Sequence, residues 1–151
     1  MSSEFTEATD SPGFLLWQVT TIWQRRIRQA LESFELTHTQ FVLLFSCHWL
    51  YHKAGRPGVT QVQLAQHTKV DVNVASQVLR TLQKRGLIDR TPHATDTRAK
   101  VITVTPTGID LATRAVRAVE AADRTFFSLL GDASKDEMIR LMFRLLTGGS
   151  D

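Results

Sequence analysis

The sequence predicts a mainly α-helical domain with one small β-hairpin: a winged helix-turn-helix core held between N- and C-terminal helices. Three observations carry that expectation. Apolar residues recur at three- and four-residue spacing in separate stretches, each opened by a capping signature. A short helix, a break and a longer helix follow one another in the middle third. Directly after them, two short strand-like runs flank a polar loop. The order helix, helix, short helix, helix, strand, strand, helix, helix describes a helix–turn–helix followed by a wing.

Each element has its own signal. Residues 1–10 are expected as a disordered tail, ahead of a single domain over 11–147. Ser11-Pro12 opens a helix over 11–35, a capping residue with proline at the first helical position. Leu15, Leu16, Val19, Ile22, Trp23, Ile27 and Leu31 repeat along it. Thr37 and Gln40 form a capping-box pattern ahead of Phe41, Leu44, Phe45, His48 and Trp49, predicting a helix over 37–53 that the Gly55–Gly58 stretch ends. The winged core is expected over about 58–105. Thr60 and Gln63 box a short helix, Asp71 caps a longer one to about Arg85, and Gly86 stops it. Leu87–Thr91 and Lys100–Val104 read as strands around a loop over 92–99. Thr105-Pro106 starts a further helix that ends before Gly131, and Ser134 with Glu137 predicts the start of the last one. Residues 148–151 are expected to fray.

Composition narrows the function. The 151 residues carry a formal net charge of +3, but the excess is local. Residues 60–100 hold seven Lys/Arg against three Asp/Glu, +4, while 1–59 balance at five against five and 101–151 hold six against seven, −1. A basic middle on an otherwise neutral chain suggests a polyanionic partner, although a solvated surface gives the same count. No run of 18 apolar residues exists, so no membrane partner is expected. The polar, acidic N-terminus lacks the basic and apolar regions of a secretory leader. One cysteine, Cys47, allows no internal disulfide and fits a cytoplasmic protein.

The helix from Asp71 to Arg85 divides its faces by chemistry. At about 100° per residue, Ala75, Val78, Leu79 and Leu82 share one side, and Asn73, Gln77, Arg80 and Lys84 the other, with Ser76 and Thr81 on the flanks. The polar side carries amide, guanidinium and ammonium groups and no carboxylate. Asn and Gln can bond bidentately to adenine and Arg to guanine in a major groove, and Lys84 is better placed for a phosphate. An ordinary wet helix face has the same look in isolation. Its neighbours distinguish it, above all the loop DTRAK. There Arg98 sits near the tip, able to enter a minor groove, and Asp96 two residues away can hold its guanidinium in one pose. His93 and Lys100 can approach phosphates.

The run KVDVNVASQVLRTLQKRGLIDRTPHATDTRAKVITVTPTG resembles the winged-helix core of the MarR family of bacterial transcription regulators. The shared pattern is RTLQKRGLIDR, the D-x-R wing at Asp96–Arg98, and a strand ending VITVTPTG. The likeness implies a homodimer whose terminal helices, about 11–35 and 106–147, interlock. Each subunit then places its recognition helix in the major groove and its wing in the minor groove of a palindromic double-stranded operator. It further implies a repressor that releases DNA when a small aromatic or lipophilic effector binds between the dimerisation and DNA-binding parts. Carried over, Asn73, Val74, Ser76 and Gln77 are base readers and Arg98 the wing arginine. Thr60, Gln61, Arg80, Lys84, His93, Asp96 and Lys100 complete the expected DNA-binding set. One departure stands out: family recognition helices often have Thr-Val-Ser-Arg where this chain has Val74-Ala75-Ser76-Gln77, so the arginine of the usual base contact is missing. Phe14, Trp17, Phe126, Phe127, Met138, Met142 and Leu146 are available for a shared bundle core.

Sensor candidates cluster in the second helix. Trp17, His38, Phe45, His48 and Trp49 are the candidate lining of an effector pocket, with core packing as the rival reading. Cys47 inside an apolar helix reads as inert rather than redox-active. His48 and His52 lie four apart on a helix, but two histidines are half a metal site, so no metal and no cofactor is expected. No nucleophile elbow, phosphate-binding glycine loop or catalytic dyad is present, and an enzyme is not expected. The competing class is a helical interaction module that docks an acidic protein on its basic face.

Overall fold

The structure is a computed structural model, and it describes residues 3–55 and 58–148. One 3-10 turn, Ala8–Asp10, lies within the segment expected as a tail, and residues 1 and 2 fall outside the described part. Helix α1 runs Pro12–Leu31, with the Ser11 hydroxyl accepting from the Phe14 N–H. It stops earlier than the expected 35 because the chain tightens into a 3-10 turn, Glu32–Phe34, and Glu35 turns left-handed at φ 53°. Helix α2 is His38–Lys53. The predicted box closes reciprocally: Gln40 N–H donates to the Thr37 hydroxyl at 3.1 Å, and Thr37 N–H to the Gln40 amide oxygen at 3.0 Å. Gly55, at φ +67°, follows its end; residues 56 and 57 of the expected stop lie outside the described part.

The winged core comes next. A two-residue strand β1, Val59–Thr60, leads into α3, Gln61–Thr68, through the predicted Thr60–Gln63 box. Lys69 makes the turn in the left-handed region at φ 63°. Helix α4 is Val72–Lys84, with the Asp71 carboxylate accepting from the N–H groups of Asn73 and Val74 at 2.9 and 3.3 Å. Strands β2, Ile88–Pro92, and β3, Lys100–Val104, pair antiparallel with Arg90 opposite Ile102 and Pro92 opposite Lys100. The third strand, β1, pairs with the far edge of β3, Val59 opposite Ile102, in the order β1-β3-β2. The sequence had suggested the hairpin alone.

Helix α5 is Pro106–Phe127. Thr105 ties its start to the end of α4: the hydroxyl donates to the Gly86 carbonyl at 2.6 Å and accepts from Gly108 N–H at 3.1 Å. Gly108 is needed because a Cβ there would sit 2.0 Å from the Leu87 carbonyl oxygen. Helix α6 spans Gly131–Gly148. This corrects the expected Ser134–Glu137 box. A 3-10 turn, Ser128–Leu130, and the left-handed Gly131 start the helix three residues sooner, with Asp132 as the acid in its first turn. Glu137 accepts instead from Arg140, at 3.0 Å. Gly148 still belongs to this helix, and residues 149–151 lie outside the described part.

The core lies where α2 meets the winged elements and α5. Leu43, Leu44, Leu64, Leu79, Leu82, Ile88 and Ile102 are fully buried there, together with Ile27 and Leu31 of α1. Each such side chain contributes on the order of 2 kcal/mol by leaving water. The first half of α1 departs from its apolar pattern: Leu15, Leu16, Val19 and Ile22 are exposed. No residue of α6 is buried either. Among the described residues no helix is long and apolar enough to cross a membrane.

Candidate nucleic-acid interface

Burial sorts α4 as its periodicity predicts. Ala75, Leu79 and Leu82 are completely covered, and Val78 packs against the same core. Asn73, Val74, Gln77, Arg80, Thr81 and Lys84 are exposed, and Ser76 is half-buried. Arg80 donates to the Ser76 hydroxyl at 3.3 Å, one turn back. The outer face therefore offers amide, hydroxyl and guanidinium groups on a helix fixed from behind by three fully buried side chains.

Thr60 and Gln61 sit at the head of α3 and are half-buried. Gln61 reaches a residue that the sequence did not single out. Arg90, in β2, donates through Nη2 to the Gln61 amide oxygen at 2.9 Å. Burial, and then the neighbouring Arg80, hold the Arg90 pKa below the ordinary guanidinium value. Its Nε is buried without a hydrogen-bond partner among the described residues. Arg90 thus joins β2 to the head of α3 through Gln61, and the charge of Arg80 on α4 acts on it there. In the sequence Arg90 closes the RTLQKRGLIDR run, and in β2 it lies on the same face as the buried Ile88, opposite Ile102.

The wing carries the second part of the interface. His93 N–H donates to the Ala99 carbonyl at 2.9 Å and closes the hairpin beyond its strands. Asp96 Oδ1 accepts from the Arg98 backbone N–H at 3.1 Å and from Arg98 Nε at 3.4 Å. The Arg98 side chain is 93% exposed, so this ion pair adds little to stability and acts by limiting where the guanidinium points. Lys100, at the start of β3, is exposed, and His93 is half-buried.

The five expected effector residues do not share one cavity. Trp17 is 70% exposed on α1. His38 packs edge-on to Trp23 with ring centres 5.2 Å apart, Phe45 stacks on Phe41 and Trp49 on His67. His48 alone of the five lines the cleft of about 250 Å³ between α2, β1, β3 and α5, with Cys47, Tyr51, Val59, Ile102 and Ile109. Its Nδ1 is buried without a partner among the described residues, and burial followed by the adjacent His52 lowers its pKa. Cys47 is buried, its thiol donates to the Ile102 carbonyl at 3.7 Å, and burial pushes its pKa up to about 12. That thiol carries almost no thiolate at neutral pH, the form that oxidants and metals attack. Among the described residues no group of three or more His, Cys, Asp or Glu could hold a metal ion.

Known proteins share this arrangement. Residues 36–99, from just ahead of α2 to the wing loop before β3, match the profile of the MarR family. The uncharacterized HTH-type transcriptional regulator YdcH of Bacillus subtilis is 42% identical over 83% of this chain and 84% of its own length. The HTH-type transcriptional repressor Rv2887 of Mycobacterium tuberculosis is 31% identical over 95% of this chain and 98% of its own. Among solved structures, Bordetella bronchiseptica BpsR, whose DNA binding is regulated by 6-hydroxynicotinic acid, superposes with a TM-score of 0.84 over 100% of both chains at 22% identity. With the helix–turn–helix, the three-stranded wing and the flanking helices in the places that likeness requires, the chain belongs to the MarR family of winged helix-turn-helix transcription regulators.

Proposed function

We propose that two copies of this chain bind a palindromic duplex as a sequence-specific repressor in the cytoplasm, without enzymatic activity, and that a small aromatic or lipophilic molecule releases them. The observation that carries this reading is the pairing of an acid-free, exposed face on α4 with a wing arginine held by its own carboxylate. An α-helix about 10–12 Å across fits a major groove about 12 Å wide. Asn73 and Gln77 suit adenine edges, Arg80 suits guanine, Val74 a thymine methyl, and Ser76 either kind of edge. Thr60, Gln61, Lys84 and Lys100 flank that face and suit phosphates. Arg98 suits a narrow minor groove, where negative potential is strongest.

The exposed apolar face supports a second copy as partner. Phe14, Leu16 and Trp17 on α1 and Met142, Phe143 and Leu145 on α6 are all more than 40% exposed. Apolar surface gathered this way marks an association site, and a two-fold pair matches two half-sites on DNA. For the effector, the cleft beside His48 joins apolar walls to an imidazole, which suits a single-ring molecule that carries a hydroxyl or carboxylic acid. The cleft touches β1 and β3 of the wing and the start of α5, so a ligand there is placed to shift the wing relative to the long helices.

The test is fluorescence anisotropy on a duplex that the unaltered protein enriches from a random-sequence pool, read across salt concentrations. Affinity is expected to fall steeply with salt as phosphate contacts release counterions, with two chains per duplex. A flat salt response, or one chain per duplex, contradicts the reading.

A further inference from the structure

The wing arginine is not held by Asp96 alone. His93 Nδ1 lies 3.2 Å from the backbone nitrogen of Thr95, 3.2 Å from that of Asp96, and 3.1 Å from the Thr95 hydroxyl. A backbone N–H can only donate, so Nδ1 must be the acceptor and the proton of the neutral ring sits on Nε2. One lone pair gathers these donors and fixes the first half of the loop.

The contacts then run in series. The ring fixes the Asp96 N–H. The Asp96 carbonyl accepts from Ala99 N–H at 3.0 Å and closes the tight turn. The Asp96 carboxylate accepts from the backbone and side chain of Arg98. Among the described residues no other side chain holds the Thr95 and Asp96 amides, and without an acceptor they would turn to solvent and free the loop.

We propose that His93 is the positioning residue of the wing: it acts inward through Nδ1 to set Asp96, and through Asp96 it sets Arg98, rather than acting outward as a phosphate ligand. The side-chain amides separate these two roles. Asn places its Oδ1 where His places Nδ1, whereas Gln extends its amide towards the Nε2 position.

This inference rests on the DNA-binding reading for its consequence but not for its geometry, so two measurements test it. In the free protein, amide hydrogen exchange at Thr95 and Asp96 is expected to stay slow in His93→Asn and to speed up in His93→Gln and His93→Ala. On the duplex enriched by the unaltered protein, His93→Asn is expected to bind within about threefold of normal, and the Gln and Ala variants about tenfold more weakly as the Arg98 contact is lost. Unchanged exchange in His93→Gln overturns the proposal, as does near-normal DNA binding by His93→Gln with weakened binding by His93→Asn, the pattern of a phosphate ligand. If the pool yields no duplex, the DNA-binding reading fails, and exchange still decides whether His93 orders the wing.

Discussion

The indole N–H of Trp23, in α1, donates to the carboxylate of Asp123, in α5, at 2.7 Å across 100 residues of sequence. The bond is partly buried, and the edge of the His38 ring packs on the same indole. It pins the N-terminal helix to the long C-terminal one at the level where α1 changes from exposed to buried. Replacing Trp23 with Phe keeps an aromatic ring and removes the donor. The expected cost is about 1–3 kcal/mol, because the carboxylate loses its partner in a partly dry site. Asp123→Asn keeps an acceptor oxygen and should cost less. Urea midpoints at one fixed protein concentration check both, since association also shifts apparent stability. Equal midpoints for Trp23→Phe and the unaltered protein would contradict the assignment.

The junction of wing and long helix gives a second prediction. Gly108→Ala drives a methyl to 2.0 Å from the Leu87 carbonyl oxygen and 2.8 Å from Val104 Cγ1. Backbone oxygen cannot move aside as a flexible side chain can, so a loss of about 2–3 kcal/mol or more is expected, seen as a lower Tm. Gly13→Ala, where nothing lies within 4 Å, is the control and should be neutral or slightly stabilising.

Acid should weaken the fold through histidine. Burial lowers the pKa of His38, with Asp123 acting against that shift and Arg28 with it; burial, then His52, lowers that of His48. A depressed folded-state value means the unfolded chain takes up protons first. Stability is therefore full above the ordinary histidine value of about 6.5 and falls as pH drops below it, until the folded rings protonate. Thermal melts from pH 8 to 5 should show this, with a shallower decline in His38→Gln. Identical pH slopes for the two proteins would count against the burial of that ring.

Much of this architecture was legible because short local signals carried it. Ser11, Thr37, Thr60, Asp71 and Thr105 all cap the helices they were expected to cap, since a capping contact is made within three residues and needs no tertiary partner. Leu79 and Leu82 were readable as core from the period of α4. What escaped was non-local. Strand β1 has two residues, too few for an alternating pattern, and exists only because β3 offers an edge to Val59 and Thr60. Ser134 and Glu137 match a capping box by spacing, but the chain had already turned at Gly131. Arg90 is held by Gln61, which lies 29 positions away in sequence. Of the residues expected around an effector, Phe45 and Trp49, one turn apart on α2, line a shared cleft with His67, while His48 lines another and Trp17 is exposed. Leu15, Leu16, Val19 and Ile22 keep the apolar period of α1 yet are exposed, because periodicity alone does not tell an interior from an association surface.

The central claim, that α4 and the wing grip a duplex together, is tested most directly by the affinity of Gln77→Ala and Arg98→Ala, each shown to be folded and paired, for the duplex the unaltered protein selects. Each variant is expected to lose about 1–3 kcal/mol of binding, with Gln77→Ala also relaxing the choice of base at one position in each half-site. Binding by both variants as tight and as selective as that of the unaltered protein would contradict the account.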